Sequence, residues 1–528
     1  MQAMTAAMKK SRWSGGARAC AVGILLLAAC LRLWGLGAQS IWQDEAYSVV
    51  VARQPVVSII QRQVEDSSPP LYYVLLHLWV AVFGDSEFTA RLPSALCGIG
   101  LVAATLLIAS RLFGPKVGLW AGIMLAIAPL AVCYSQEARM YSLTPLLAVI
   151  SVYLCYLLGE NASSRRMAWF IGITVAMLYT QNYGVFVLVA EGLYLLANRR
   201  RRQDARPMLA LMGVVGGYLP WLLVLSRQVA ENTTPWIPRP RARMLFDTLL
   251  YLLFKSWRLP STSFLKAIWA VGLLSVAGLT IAAIRVLVRA RRSTSEDSAY
   301  RAGLLFLSYT IVPIICAFIV SQGKPIYVPG RYDTIVQPGL FILVALGLSS
   351  IRVDWLRSAI GGVLVVVLVL SLHAYFTVYY KSNDREIADY IAHNAKPSDV
   401  VLFTDLTITP FRYYYPDSNI ATLRFPQGGL GWTPKGAFTN DAAFFEQELA
   451  IVERRLSALW PQKNRLLVVF KPSPAIYCKL LARLRAEPWL RLEARVPFKM
   501  GDNVENQASA IYIFRILEAP GEHGPRNG

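Results

Sequence analysis

The chain has 528 residues, of which 55% are hydrophobic and 16% charged, and its net charge is +21. Soluble domains usually contain about 25% charged residues. A chain this apolar, whose apolar residues come in blocks, is explained better by membrane insertion than by one large soluble core. The basic residues cluster between the blocks, as in proteins that follow the positive-inside rule, so the charge does not indicate nucleic-acid binding.

The apolar blocks predict membrane-spanning helices, each of which needs about 20 mostly apolar residues. A basic N-terminal segment precedes the first block and no small-residue cleavage site follows it, so we interpret this block as a permanent span rather than a signal peptide. Eleven spans are predicted, at 19–37, 92–112, 117–134, 141–159, 167–181, 183–197, 208–226, 264–284, 302–321, 333–350 and 357–379.

Charge decides whether the short apolar segment 69–84 also crosses the membrane. If it does not cross, the N-terminus and every compact basic loop lie inside. If it crosses, the arginine run 199–202 moves outside and opposes the N-terminal basic cluster. We therefore predict that 69–84 is an interfacial or re-entrant helix in a first outer loop, 38–91. The stretch 227–266, with seven basic residues, lies outside in this topology and is its exception.

The sequence pattern changes after residue 380. An amphipathic helix is predicted at 384–396, a second helix at about 474–486, and strands at 400–405, 466–470, 492–498 and 510–517. We thus expect a transmembrane domain, 1–380, followed by an α/β domain, 381–518, outside the membrane. The last residues, 519–528, are predicted to be a disordered tail.

Asp44 and Glu45, in IWQDEAYS just after the first span, are the strongest candidates for chemistry. They can simply be solvated loop carboxylates. However, they stand between apolar residues at the membrane surface, where partial desolvation makes a carboxylate more basic. Such a group can act as general base toward an acceptor hydroxyl.

Three further polar segments lie at predicted outer ends of spans. These polar residues can be substrate contacts, or they can simply be interfacial ion pairs, snorkelling arginines or turns. For TQNYGVF the turn is slightly favoured. A guanidinium fixed at the outer surface is also suited to bind a lipid-borne phosphate. The candidates are Glu137, Arg139 and Tyr141 in SQEARMYS, Gln181 and Asn182 in TQNYGVF, and Lys324, Arg331 and Tyr332 in GKPIYVPGRYD.

The predicted topology places all of these residues on one side of the membrane, although it was derived from other residues. Carboxylates and cations at one membrane depth are typical of a site for an anionic substrate held by a lipid. No pair of cysteines has metal-ligand spacing, and the four histidines are scattered.

Together these segments resemble the lipid-phosphate-dependent glycosyltransferases of the GT-C fold, in particular bacterial relatives of the protein O-mannosyltransferases and of the lipid A aminoarabinose transferases (glycosyltransferase family 39). The resemblance runs from Ile41 to about Leu348. It depends on the order and spacing of DEAYS, SPPLYY with FGDSEFTARLPSAL, SQEARMYSL, QNYGVFVL and GRYDTIVQPGLFILVALGL.

The resemblance implies an inverting transfer from a polyprenyl-phosphate sugar, of undecaprenyl or decaprenyl type, to a lipid, glycan or protein acceptor. Asp44 would be the catalytic base with Glu45 beside it, and Arg139 and Arg331 would hold the donor phosphate. No cofactor is required, and Asp44, Glu45 and Glu137 are the residues that could hold a divalent metal. The implied location is the bacterial inner membrane, with the C-terminal domain periplasmic or extracellular.

One departure from the family concerns the residues before PPLYY. Aminoarabinose transferases have an acidic–basic pair there, whereas this chain has Ser67 and Ser68. Phosphate binding must therefore fall on other residues, while Asp66 can replace the missing acid.

Two other classes remain as alternatives. A transporter or lipid-sugar flippase would have ionisable residues near the membrane midplane and repeat symmetry, which the sequence does not show. A sensor or assembly protein would use the C-terminal domain for recognition.

Overall fold

The computed structural model describes residues 13–202, 204–231, 237–255, 263–290, 297–378, 381–427, 441–460, 462–471, 475–498 and 509–520. Almost all of the predicted disordered tail, 519–528, lies outside these ranges. The chain forms two compact units. The first comprises 1–36, 63–75 and 88–379, and the second comprises 37–62, 76–87 and 380–528.

The described residues up to 378 are mainly helical. Its helices are α1 Gly15–Leu33, α2 Gln43–Ala52, α3 Val56–Glu65, α4 Leu71–Phe83, α5 Glu87–Phe113, α6 Pro115–Ile127, α7 Pro129–Ser135, α8 Leu143–Glu160, α9 Ser164–Thr180, α10 Gly184–Arg202, α11 Arg206–Glu231, α12 Arg243–Phe254, α13 Ser263–Ala290, α14 Asp297–Gly323, α15 Gln337–Ser349 and α16 Asp354–Val378. A 3₁₀ turn, Asp333–Val336, precedes α15.

Seven of the described helices are long and apolar enough to cross a membrane: α1, α5, α8, α11, α13, α14 and α16. The bent pair α6–α7 makes eight if it counts as one span. The protein is therefore a multi-pass membrane protein, as predicted. The other predicted spans, at 167–181, 183–197 and 333–350, correspond to α9 with 17 residues, to the apolar part Gly184–Ala197 of α10 and to the helical segment Asp333–Ser349. Each is shorter than the seven, so the total of eleven remains a prediction. Helix α4, with 13 residues, is also short for a span.

The bend of 62° between α6 and α7 has a cause in the sequence. Pro129 lacks an N–H, so the carbonyl of Leu125 loses its helical donor. Arg32 of α1, which is 0% exposed, supplies donors instead. Its Nη2 lies 3.2 Å from the Leu125 oxygen and its Nη1 lies 3.0 Å from the Ala126 oxygen. The buried guanidinium thus satisfies the carbonyls that the bend exposes.

Close packing of α13 against α15 requires glycine at position 347. A Cβ atom there would lie 1.9 Å from the backbone oxygen of Leu279. The two helix backbones therefore approach as closely as small residues allow, which is common between membrane helices.

The second unit contains a five-stranded sheet in the order β2-β1-β3-β5-β4. Strand β1 pairs in parallel with β2 and β3, and β5 is antiparallel to β3 and β4. The elements are α17 Asp384–Asn394, β1 Asp399–Thr404, α18 Ile408–Tyr414, β2 Ala421–Phe425, α19 Ala442–Leu459, β3 Arg465–Phe470, α20 Ala475–Ala486, β4 Leu490–Phe498 and β5 Ser509–Ile516.

Both faces of β1 are buried, which explains why its sequence is a continuous apolar run. Val400 and Leu402 pack with residues of α19 and α20, whereas Val401 and Phe403 pack with residues of α17 and α18. The predicted helices and strands of this region are confirmed with small shifts of their ends. The short strand β2 and the helices α18 and α19 were not predicted.

Candidate functional site

The DEAYS segment forms the first turns of α2. Asp44 is half-buried and Glu45 is 0% exposed. A carboxylate in the first helical turn interacts favourably with the helix dipole. The Glu45 carboxylate also accepts the N–H of Trp42, at 3.5 Å, and lies 3.5 Å from the Nζ of Lys381. Glu45 is therefore a buried, paired carboxylate, while its neighbour Asp44 retains exposed surface.

In the first unit, a tight turn between α7 and α8 carries the SQEARMYS residues. The carbonyl of Arg139 accepts the hydroxyl of Ser94 at 3.0 Å, which fixes the backbone of the turn. The Nη1 of Arg139 donates to the hydroxyl of Tyr73 at 3.3 Å. The pKa of Tyr73 is raised to about 12, chiefly by burial and partly by the nearby Asp66, against the opposing effect of Arg139. The phenol thus remains neutral beside the guanidinium.

Arg331 approaches the same turn from the GRYD segment. Its Nε donates to the hydroxyl of Tyr141 at 2.8 Å. The guanidinium carbon of Arg331 lies 5.9 Å from the centre of the Tyr141 ring, and that of Arg139 lies 5.6 Å from it. Two permanent cations from distant parts of the chain therefore meet at one aromatic ring. An anion near both would be attracted by each of them.

Glycine at position 330 makes the turn that carries Arg331. Gly330 has φ +74°, and a Cβ atom there would lie 2.4 Å from the Tyr251 ring. Its N–H donates to Asp333 Oδ2 at 3.0 Å, and its carbonyl accepts the hydroxyl of Tyr134 at 2.6 Å. These contacts orient the turn relative to α7.

Tyr332 continues the aromatic group around the two arginines. Its ring centre lies 6.4 Å from that of Tyr141 and 5.6 Å from that of Tyr183. The structure thus places Arg139, Tyr141, Arg331 and Tyr332 together, in what we call the Tyr141 cluster.

The two polar residues of TQNYGVF differ in their surroundings. Asn182 has a structural role: its Nδ2 donates to the Ser67 carbonyl at 3.0 Å, and its Oδ1 accepts from Tyr218 and Trp221. Gln181 is 5% exposed, and neither its amide oxygen nor its amide nitrogen has a partner in the described ranges. Buried amides are normally hydrogen-bonded, so Gln181 is the better candidate for a ligand contact.

The remaining predicted residues are less closely tied to the Tyr141 cluster. Glu137 is buried at the start of the same turn and accepts from the Cys133 thiol at 3.5 Å. The side chain of Lys324 is exposed to solvent. Asp66 is half-buried and accepts from the hydroxyl of Ser67 at 3.5 Å.

Lys255 was missed by the sequence analysis. It follows α12 with φ +58°, an uncommon backbone conformation for a non-glycine residue. Its Nζ lies 4.9 Å from the centre of the Tyr375 ring, and the Tyr375 hydroxyl donates to Gln136 at 2.8 Å. Gln136 directly precedes Glu137. The sequence feature that could have pointed to Lys255 is the excess of basic residues in 227–266, a stretch predicted to lie on the outer side.

Among the residues that the structure describes, no group of three or more His, Cys, Asp or Glu side chains is arranged to hold a metal ion.

Comparisons with known proteins agree with the resemblance. Residues 67–224 match the family model described as dolichyl-phosphate-mannose-protein mannosyltransferase. This range includes PPLYY, the Arg139 turn and the Gln181 turn. No curated protein matches the chain in sequence.

Solved structures extend the similarity to nearly the whole chain. Apo ArnT from Cupriavidus metallidurans has a TM-score of 0.55 at 15% identity, over 96% of this chain and 98% of that one. The same protein bound to undecaprenyl phosphate has a TM-score of 0.53 at 16% identity, over 97% and 98%. The oligosaccharyltransferase AglB from Archaeoglobus fulgidus, in complex with an inhibitory peptide and a dolichol-phosphate, has a TM-score of 0.50 at 13% identity, over 86% and 69%.

The fold is thus that of the GT-C enzymes, as the sequence predicted. The family match and the fold together support a glycosyltransferase of this class, with an ArnT-like arrangement of helices and a C-terminal mixed sheet.

Proposed function

We propose that this protein is an inverting glycosyltransferase that moves a sugar from a polyprenyl-phosphate donor to an acceptor at the extracytoplasmic face of the membrane. Undecaprenyl or decaprenyl phosphate is the carrier type, and the acceptor is a lipid, glycan or protein. The protein lies in a bacterial inner membrane, with the region after residue 380 on the outer side.

The meeting of Arg139 and Arg331 at Tyr141 is the observation that carries the proposal. The Tyr141 ring lies within 6 Å of both guanidinium carbons. A guanidinium binds phosphate oxygens bidentately and remains charged at any physiological pH. The two arginines bind the donor phosphate and stabilise the charge that develops on it as the sugar leaves.

Asp44 is the catalytic base. It stands next to the paired carboxylate Glu45, but it retains exposed surface and can therefore reach a substrate hydroxyl. A helix start holds it in a fixed backbone position, which favours orientation of the reacting groups.

The reaction balances without a cofactor. The acceptor hydroxyl gives its proton to Asp44, and its oxygen forms a bond to the anomeric carbon from the face opposite the phosphate. The bond between that carbon and the phosphate oxygen breaks, and polyprenyl phosphate leaves with the electron pair. The configuration at the anomeric carbon is inverted.

Gln181 and Tyr332 extend the site toward the sugar. The buried amide of Gln181 can donate to one sugar hydroxyl and accept from another. Tyr332 offers an aromatic face close to Arg331. Glu137, Asn182, Asp66 and Lys324 complete the proposed substrate-binding residues, with Asn182 acting by holding the Ser67 segment.

The test compares wild type with Asp44→Asn in membranes supplied with a polyprenyl-phosphate sugar that carries an isotopic label. Label in envelope lipids, glycans and proteins is followed by mass spectrometry. Losing a general base typically costs about 10²- to 10⁴-fold in rate. Asp417→Asn, at an exposed aspartate, serves as the matched control and keeps full activity. Unchanged transfer in Asp44→Asn would remove Asp44 from the mechanism, and no transfer by the wild type with any polyprenyl-phosphate sugar would remove the proposed function.

A further inference from the structure

The segment just before α2 is attached to the C-terminal part of the second unit. Gln39 Oε1 accepts the Lys381 N–H at 3.1 Å, and the Ser40 hydroxyl donates to the Ser382 carbonyl at 2.7 Å. The Ile41 N–H donates to the Tyr414 hydroxyl at 2.8 Å. Three consecutive residues therefore bond to partners 342 to 373 positions further along the chain.

Lys381 makes a second connection, through its side chain. Its Nζ lies 3.5 Å from Glu45 Oε1, and the two side chains are 3% and 0% exposed. A buried carboxylate is costly unless it is paired, so this contact stabilises Glu45 at the start of α2. Because the Lys381 N–H is bonded to Gln39, the lysine is fixed at both its backbone and its ammonium group.

Tyr414 is held in turn by a polar network. Its hydroxyl donates to Glu87 Oε1 at 3.0 Å, and the same oxygen accepts the Arg385 Nε at 2.9 Å. Burial raises the pKa of Tyr414 well above its ordinary value. The hydroxyl therefore stays protonated and can accept from Ile41 while donating to Glu87.

These contacts flank Asp44 on both sides, with Ile41 held before it and Glu45 held after it. From this arrangement we infer that Lys381 is a positioning residue for the reaction: it fixes Glu45, and through Glu45 the adjacent base Asp44. The inference rests on the proposed function, because it takes Asp44 as the base. The C-terminal region then supports the catalytic step itself, in addition to any recognition of the acceptor.

Pairing also separates the roles of the two carboxylates. Glu45 is fully buried against Lys381, whereas Asp44 retains exposed surface and is the carboxylate that takes the proton from the acceptor. Removing the lysine takes away the ammonium group that lies against Glu45 and loosens the carboxylate next to the base. Misplacing a catalytic group by about 1 Å can cost about 100-fold in rate.

The kinetic test uses Lys381→Met, Lys381→Arg, Glu45→Gln and the double variant Lys381→Met/Glu45→Gln. We expect Lys381→Met to lower kcat by about 10- to 100-fold with little change in KM for the donor. Lys381→Arg restores most of kcat, since it keeps the charge. The double variant is no slower than Glu45→Gln, because the lysine acts through Glu45. Lys479→Met, at an exposed lysine of the same unit, is the matched control.

A second measurement does not depend on activity. Hydrogen–deuterium exchange of the full-length protein in lipid nanodiscs should show faster exchange at residues 41–48 in Lys381→Met, with the exchange of α8 and α14 unchanged. Tyr414→Phe should have the same effect, because it removes the acceptor of the Ile41 N–H.

The inference is overturned if Lys381→Met keeps wild-type kcat, if the double variant is slower than Glu45→Gln with a raised donor KM, or if residues 41–48 exchange as in wild type. A raised donor KM would mean that Lys381 binds the donor directly. If the wild type transfers no sugar from any polyprenyl phosphate, the proposed function fails, and the exchange experiment still decides whether Lys381 holds the start of α2.

Discussion

Replacing Arg331 tests the proposed phosphate site in a binding experiment that requires no acceptor. The Arg331 guanidinium donates to the Tyr141 hydroxyl at 2.8 Å and lies 5.8 Å from the centre of the Tyr332 ring. It is therefore held in place before any ligand arrives. A hydrogen bond to a charged group contributes about 1.5 to 3 kcal/mol, which corresponds to roughly 10- to 150-fold in affinity.

We expect Arg331→Ala to weaken the binding of undecaprenyl phosphate by that factor. The Kd of Arg331→Lys should lie between those of Arg331→Ala and wild type, because lysine keeps the charge but cannot form the planar, bidentate contact. The purified protein is reconstituted in nanodiscs and titrated with undecaprenyl phosphate, and Kd is measured by native mass spectrometry.

Two controls accompany this titration. Arg227→Ala removes an arginine that is 73% exposed and pairs only with Glu231 among its described neighbours, so Kd should stay within about twofold. Asp44→Asn should also bind normally, because the base does not contact the phosphate. If Arg331→Ala binds undecaprenyl phosphate as tightly as wild type, the assignment of the Tyr141 cluster as the phosphate site is wrong.

Three further substitutions test other parts of the account. Gln181→Leu should raise KM for the donor by about tenfold without lowering Tm, because it removes one hydrogen bond to a sugar hydroxyl. An unchanged KM in steady-state kinetics would exclude the sugar contact. Arg32→Met should lower Tm, because the carbonyls of Leu125 and Ala126 lose their hydrogen-bond donors. Each buried carbonyl left without a donor lowers the free energy of unfolding by about 1 to 3 kcal/mol. A Tm equal to that of wild type in thermal unfolding would refute this account of the bend. Gly347→Leu should destabilise the protein more than Gly362→Leu, where a Cβ atom meets nothing within 4 Å, and equal expression and Tm for both variants would contradict the close approach of α13 and α15.

Much of the fold was predictable because its signals are local. Apolar runs of about 20 residues predicted the spans, and the break between α9 and α10 was predicted at the polar Gln181–Tyr183 turn. The strand LLVVF was recognised because its two buried faces give a continuous apolar run. Strand β2 was missed because ATLRF is short and carries Thr422 and Arg424.

The bend at Ala128 was also missed, although Pro129 was visible in the sequence. The segment 117–134, which includes this proline, was predicted as one span. Arg32 stabilises the bend through its hydrogen bond to the Leu125 carbonyl. The position of Arg32 follows from the packing of α1 against α6, so no local sequence pattern could predict it.

In the candidate site, too, the sequence selected individual residues but could not predict which of them come together. The sequence selected Arg139 and Arg331 from their positions at span ends, but their meeting at Tyr141 required the fold. The pairing of Lys381 with Glu45 could not be predicted, because the two residues are far apart in the chain and no pattern links them. Lys255 gave only a weak signal, as one of several basic residues in a long loop.

Accessible-cysteine labelling tests most directly whether Asp44 and Arg331 can act on one substrate. Single cysteines are placed at positions 44 and 331 in a variant whose seven native cysteines are replaced by serine, and intact cells are treated with a thiol reagent that cannot cross the membrane. The account predicts that both positions are labelled from outside and that a cysteine at Arg165, in a predicted inner loop, is labelled only after the membrane is opened. Labelling of positions 44 and 331 from opposite sides of the membrane would contradict it.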